Sequence, residues 1–169
     1  MNLKEIMRNV YQQIEDPTKG LPEEIFQFIS SVTPMVNVDL LVRDESGRIL
    51  LAMRNDKFEG MVWHIPGGII RFRETMEERL QKTAVNELGC RVLFEKEPIA
   101  VNEIFVPHEE RGHFISFLYQ CRLPEGFEIH SEDPPLDGDL KWFSDCPRDF
   151  IKCHREIYGK YFKGDAVSN

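Results

Sequence analysis

No apolar run in this sequence approaches the roughly 20 residues that a bilayer-crossing helix needs. No Cys-x-x-Cys pair occurs either: Cys90, Cys121, Cys146 and Cys153 stand alone, so a zinc site is not expected and buried reduced thiols are. The opening Met-Asn-Leu-Lys-Glu lacks the basic-then-apolar pattern of an export signal, which makes the cytoplasm the expected address. Internal repeats and low-complexity tracts are absent as well. Positive charge is in short supply, with 21 Lys and Arg against 29 Asp and Glu and a formal net charge of −8. An acidic surface repels phosphate backbones at long range, so nucleic acid is not an expected partner. A small anionic substrate stays compatible, provided that arginines and a divalent cation reverse the field locally.

What is present is an ordinary globular balance: 169 residues, 41% hydrophobic and 30% charged, enough for one domain with a real core. The first 33 residues read as two helices. Ile6, Val10 and Ile14 recur at a spacing of four, and Asp16-Pro17-Thr18-Lys19-Gly20 breaks the pattern. Pro22 then opens a second helix with Ile25, Phe28, Ile29 and Val32 on one face. This extension either covers a sheet edge or packs on a partner subunit.

From Pro34 the texture changes to strands. Residues 35–42 and 49–53, joined by Asp44-Glu45-Ser46-Gly47, read as a β-hairpin. Asp39 is out of place in an apolar strand and must sit at its end or be hydrogen-bonded, because an unpaired buried carboxylate is costly. A short strand near 63, a Pro-Gly-Gly break and an extended piece over 69–72 lead into the clearest helix. There Thr75 and Glu78 form a capping box, Gly89 is the stop, and Met76, Leu80, Ala84 and Leu88 mark the buried stripe. Strands are expected at 90–94, 98–106, 113–122 and 140–144, with a closing helix over 147–162 whose apolar positions are Phe150, Ile151, Ile157 and Phe162.

At about 100° per residue, Glu87 falls at the edge of the buried stripe, between Leu80 and Thr83. A carboxylate held there can point into a cleft beside the sheet. The glycine backbone of Pro66-Gly67-Gly68 can turn sharply and offer a carbonyl to the same hard cation.

The spacing around these residues is Gly68-x5-Glu74-x7-Lys82-Thr83-Ala84-Val85-Asn86-Glu87-Leu88-Gly89-Cys90. It resembles the box of the Nudix (MutT-like) hydrolases, Gly-x5-Glu-x7-Arg-Glu-U-x-Glu-Glu-x-Gly-U, where U is aliphatic. Trp63-His64-Ile65-Pro66-Gly67 resembles the segment that leads into that box. In this chain Lys82 replaces the family's Arg, and Thr83 and Asn86 replace two of its three helix carboxylates. That reduced box is similar to the GDP-mannose mannosyl hydrolase branch, which also keeps one metal-binding Glu and a metal-contacting glycine carbonyl.

The resemblance implies an α/β fold, a Nudix-like α/β/α sandwich with a mixed sheet. It divides the chain into an N-terminal helical extension (1–33), a hydrolase domain (34–163) and a C-terminal tail (164–169). It implies Gly67 and Glu87 as ligands of Mg²⁺ or Mn²⁺, with Glu87 and Arg54 catalytic. Asp39 and Arg54 are substrate-binding by the same resemblance, and Gly68, Glu74, Lys82 and Gly89 shape the box. The implied substrate is a nucleoside diphosphate linked to another group, and a homodimer is implied too. Two branch features are missing: Ile69 stands where a second diphosphate-binding Arg would be, and the approach to Trp142 lacks the branch's Gln-His pair. Candidate general bases are therefore sought at His108-Glu109-Glu110-Arg111, His113, Asp137 and Asp139. Trp63, Phe72 and Phe105 are core residues or a stacking surface for a base or sugar.

Overall fold

The computed structural model describes residues 2–106 and 112–162. Helix α1 (Leu3–Gln12) starts from a capping box between Asn2 and Glu5, and α2 (Glu23–Val32) follows Pro22. Neither helix is deeply packed: α1 has no buried residue, and Leu3, Tyr11, Phe28 and Val32 are exposed.

The strands are β1 (Met35–Val42), β2 (Ile49–Asp56), β3 (Gly60–His64), β4 (Gly67–Ile69), β5 (Leu93–Phe94), β6 (Ala100–Phe105), β7 (His113–Arg122) and β8 (Leu140–Phe143). Helix α3 (Met76–Leu88) lies between β4 and β5, and α4 (Lys152–Tyr158) closes the chain with a 3₁₀ turn, Gly159–Tyr161. One sheet is mixed: its order is β4-β1-β7-β5, with β6 also on β7, and β1 runs parallel to β7. The second, antiparallel sheet has the order β3-β2-β8.

Alternation along β1 builds the layers. Val38, Leu40 and Val42 join Leu80, Ala84 and Leu88 of α3 in one core. On the opposite face, Leu41 joins Phe150, Tyr158 and Phe162 from the C-terminal segment, together with Met53, Trp63 and Ile65. The α/β/α sandwich and the mixed sheet expected from the sequence are both present.

Two expectations fail, each for a physical reason. The chain from 35 to 53 is not a hairpin: after the Arg43–Ile49 bridge, β1 and β2 part into different sheets. Leu40, Leu41 and Val42, like Ile49, Leu50 and Leu51, are buried on both faces, and such continuous runs do not reveal which neighbour they pair with. The closing helix is also shorter than 147–162. The Trp63 N–H donates to the Asp149 carbonyl (2.9 Å) and the Ile151 N–H to the Trp63 carbonyl (2.9 Å). Residues 149–151 are thus tied along β3 before α4 begins. The strand expected at 90–94 shrinks likewise to Leu93–Phe94, and the extended piece at 69–72 leaves the sheet after Ile69.

Candidate active site

Helix α3 is positioned at both ends. The Thr75 side chain accepts from the Glu78 N–H (3.2 Å), and Glu78 accepts in return from the Thr75 N–H (2.9 Å). Gly89 ends the helix in the left-handed region, at φ 76°, where a side chain would be strained. Ahead of the helix, Glu74 accepts from the Arg71 N–H (2.9 Å), Arg79 Nε (2.7 Å) and Lys82 Nζ (2.8 Å). Burial alone would raise the Glu74 pKa. The hydrogen bonds from Lys82, Arg71 and Arg79 outweigh it and hold the carboxyl at about 2. Gly68 lets this assembly close on the sheet, since a β-carbon there would lie 2.3 Å from Thr83 Oγ1.

The far end of α3 brings Glu87 to the end of β3, with Glu87 Oε2 3.1 Å from His64 Nε2. Next to it, the Leu40 N–H donates to the Pro66 carbonyl and the Ile70 N–H to the Val36 carbonyl. Antiparallel ladder bonds alternate, so Gly67, opposite Asp39, occupies a non-bonded pair. Its carbonyl is turned away from β1, off the open edge of the sheet. Beneath it lies the buried Asp39 carboxylate, which accepts from Asn37 Nδ2 (2.9 Å), Ser116 Oγ and Tyr158 OH. Burial pushes the Asp39 pKa up to about 6 against the pull of these hydrogen bonds, and the nearby negative charge of Glu87 adds to the rise.

Arg54 comes from β2. Its Nη2 is 2.9 Å from Asp56 Oδ2, while its Nε is buried with no partner among the described residues. Asp39, Arg54, His64, Gly67 and Glu87 all line one open cleft of about 1810 Å³. Among the described residues no three His, Cys, Asp or Glu side chains gather into a ready-made metal cage. One carboxylate and one outward carbonyl instead offer hard oxygens on one side, leaving room for water and phosphate. That donor set suits Mg²⁺ rather than a closed zinc site.

A family model for the NUDIX domain matches residues 33–145. The chain belongs to the Nudix hydrolase family. It is 27% identical over 144 residues to the low-salt glycan biosynthesis protein Agl8 of Haloferax volcanii, across 78% of this chain and 92% of that protein. Among solved structures, the MutT protein from Methanosarcina mazei Go1 matches with a TM-score of 0.58 at 16% identity, over 77% of this chain and 94% of that one. A UDP-X diphosphatase matches with a TM-score of 0.56 at 19% identity, over 94% of this chain and 74% of that one. These structures share the Nudix fold.

The structure brings most of the expected Nudix site together. Gly67, Gly68, Glu87, Arg54 and Asp39 share the cleft, whereas Glu74, Lys82 and Gly89 hold α3 in place without lining it. The expected bases do not join them. His113 is 3.1 Å from Glu103, Asp137 accepts from the Asn55 N–H, and Asp139 accepts from Glu132 and Leu136; none of the three lines the cleft. The stretch His108-Glu109-Glu110-Arg111 and the tail 164–169 lie outside the described residues. Trp63 is core, 3% exposed and packed edge-on against Phe143, whereas Phe72 and Phe105 are exposed at the cleft. Sequence reasoning missed Arg79, His64, Ser116, His154 and Tyr158. Phe150, His154, Tyr158 and Phe162 are spaced by four, so a stripe with two polar members was there to be read.

Proposed function

We propose that this Nudix protein hydrolyses the phosphoanhydride of a nucleoside diphosphate joined to a further group, a nucleotide sugar or a similar compound. Mg²⁺ is the ion of this reading and Mn²⁺ its substitute. The observation that carries it is that Glu87, Gly67 and Arg54 line one cleft. The likeness to a glycan biosynthesis protein supports a sugar-bearing substrate.

Glu87 and the Gly67 carbonyl would hold the ion, which when bound neutralises charge on the diphosphate oxygens. Arg54 binds the diphosphate, because a guanidinium's forked donors match phosphate oxygens and its side chain is partly exposed at the cleft. Asp39 is buried and already accepts from Asn37, Ser116 and Tyr158. Its part is to support Gly67 from below, which departs from the direct substrate contact implied by the resemblance.

A second reading is glycosyl C–O cleavage of a GDP-sugar, favoured by the single helix carboxylate and by Asp39 and Arg54 sharing the cleft. Turnover of a panel of nucleoside diphosphate compounds with Mg²⁺ in ¹⁸O-water separates the two. Label found only in phosphate supports phosphoanhydride cleavage, and label only in the sugar supports the second reading. Tight nucleotide binding without metal-dependent turnover of any compound would leave a binding protein and end both.

A further inference from the structure

We infer that His154 is a second contact to the substrate's diphosphate, donating a hydrogen bond from Nε2–H beside Arg54. The inference rests on the diphosphate reading of the cleft and adds a residue to it that the box does not contain.

Helix α4 is anchored at its start. Residues 149–151 are tied to Trp63, and this sets the first turn of α4 against the strand exit at His64-Ile65-Pro66. There the Ile65 N–H lies 3.1 Å from His154 Nδ1 and donates to it. A backbone N–H can only donate, so Nδ1 carries a lone pair, and the neutral ring must carry its proton on Nε2. The ring is held edge-on between Phe150 (6.0 Å) and Tyr158 (5.2 Å), which prevents it from turning over. His154 lines the cleft and is partly exposed, and its bonded ring nitrogen is Nδ1, which leaves Nε2 as the donor on the other side of the ring. The result is a fixed N–H donor facing the site.

A second proton on this ring would break the Ile65 bond and set two N–H groups against each other. Burial disfavours the cation further, and the nearby His64 and Arg54 act in the same direction, so the ring's pKa lies well below the usual imidazole range. His154 therefore serves as a neutral donor, not as the general base. What it can meet is an acceptor that also attracts the positive charge of Arg54, which lines the same cleft. An anionic phosphate oxygen satisfies both. This supplies a donor from α4 to a cleft that Ile69 also lines without offering one.

The test uses the full chain with Mg²⁺ and inorganic pyrophosphate as the probe, read by calorimetry and by imidazole ¹⁵N NMR. Wild-type His154 should show a protonated Nε2 and an unprotonated Nδ1, and the Nε2–H resonance should move when pyrophosphate binds. His154→Phe, which keeps a ring but no donor, should weaken pyrophosphate by about tenfold or more, as expected for a lost hydrogen bond to a charged group. His154→Gln, which keeps an N–H near the Nε2 position, should bind several-fold better than the Phe variant. A wild-type ring bearing its proton on Nδ1, or pyrophosphate affinity indifferent to both substitutions, overturns the inference. Because binding is read without turnover, loss of the hydrolase reading leaves this result standing. Conversely, turnover on the substrate panel with pyrophosphate binding indifferent to residue 154 removes only this inference.

Discussion

The carboxylate of Asp39 occupies the space that a side chain on Gly67 would need. The two residues face each other across β1 and β4, and a β-carbon at 67 would lie 2.1 Å from Asp39 Oδ1. Neither can retreat cheaply, since Asp39 is held by three donors and the Val38 carbonyl closes in at 3.3 Å. Gly67→Ala should therefore lose about 1–3 kcal/mol of stability, the usual cost of overpacking. It should also weaken Mg²⁺ binding, because the backbone that presents the carbonyl must shift. Urea unfolding and a metal titration check the two effects. A variant with normal values for both would mean that the close approach does not shape the site.

Tyr158 and Ser116 both donate to Asp39 Oδ2, and their hydroxyl oxygens are 3.0 Å apart. Tyr158→Phe removes one donor from a buried carboxylate while keeping the ring, and should cost about 1–3 kcal/mol. Ser116→Ala should cost a similar amount. The two changes should not add, because both hydroxyls serve one carboxylate oxygen at close quarters. Denaturant midpoints for the single and double variants measure this directly. Simple additivity would show that the three side chains do not act as a unit.

What the sequence made legible was local. Thr75, Glu78 and Gly89 lie within one helix and its caps, so the bounds of α3 could be read residue by residue. Glu87 and Gly67 were legible through their spacing in the box. Pairing was not, because β1 joins β7 in parallel across nearly half the chain, with Asp39 opposite Leu118. Apolar runs such as Leu40-Leu41-Val42 advertise burial and carry no address for a partner. His154 was hidden for the same reason: its role depends on a hydrogen bond to Ile65, 89 residues away. Arg79 was not legible because its burial depends on Glu74, outside the helix, folding back onto it.

The triad of Glu74, Arg79 and Lys82 makes the domain sensitive to acid. The Glu74 pKa falls from an unfolded value near 4.5 to about 2 in the fold. A depressed carboxyl pKa stabilises the fold fully above the unfolded value, and that contribution fades as pH drops from about 4.5 toward 2. Glu74→Gln should lose stability at neutral pH, by about 3 kcal/mol if the partly buried Arg79 is left uncompensated. It should then show a flatter stability profile than wild type over the acid range. Thermal melts from pH 7 down to pH 3 test this, and parallel curves for the two proteins would remove Glu74 from the account of acid sensitivity.

Glu87→Gln separates the metal reading from the fold. The change keeps the size of the side chain and leaves an amide beside His64, so the helix, its caps and its buried stripe have no reason to move. What disappears is the anionic oxygen that a hard cation requires. Calorimetric Mn²⁺ titration should show affinity reduced by on the order of 100-fold or more, beyond the 10- to 100-fold typical of groups that only support a ligand. Turnover should fall with it, while the melting temperature without metal stays within about 2 °C, as expected for a substitution that disturbs no packing. Glu77→Gln provides the contrast, since it removes an exposed carboxylate from the first turn of α3 without altering Glu87. Unchanged Mn²⁺ affinity in Glu87→Gln would move the ion away from α3, and with it the assignment of the Gly67 carbonyl.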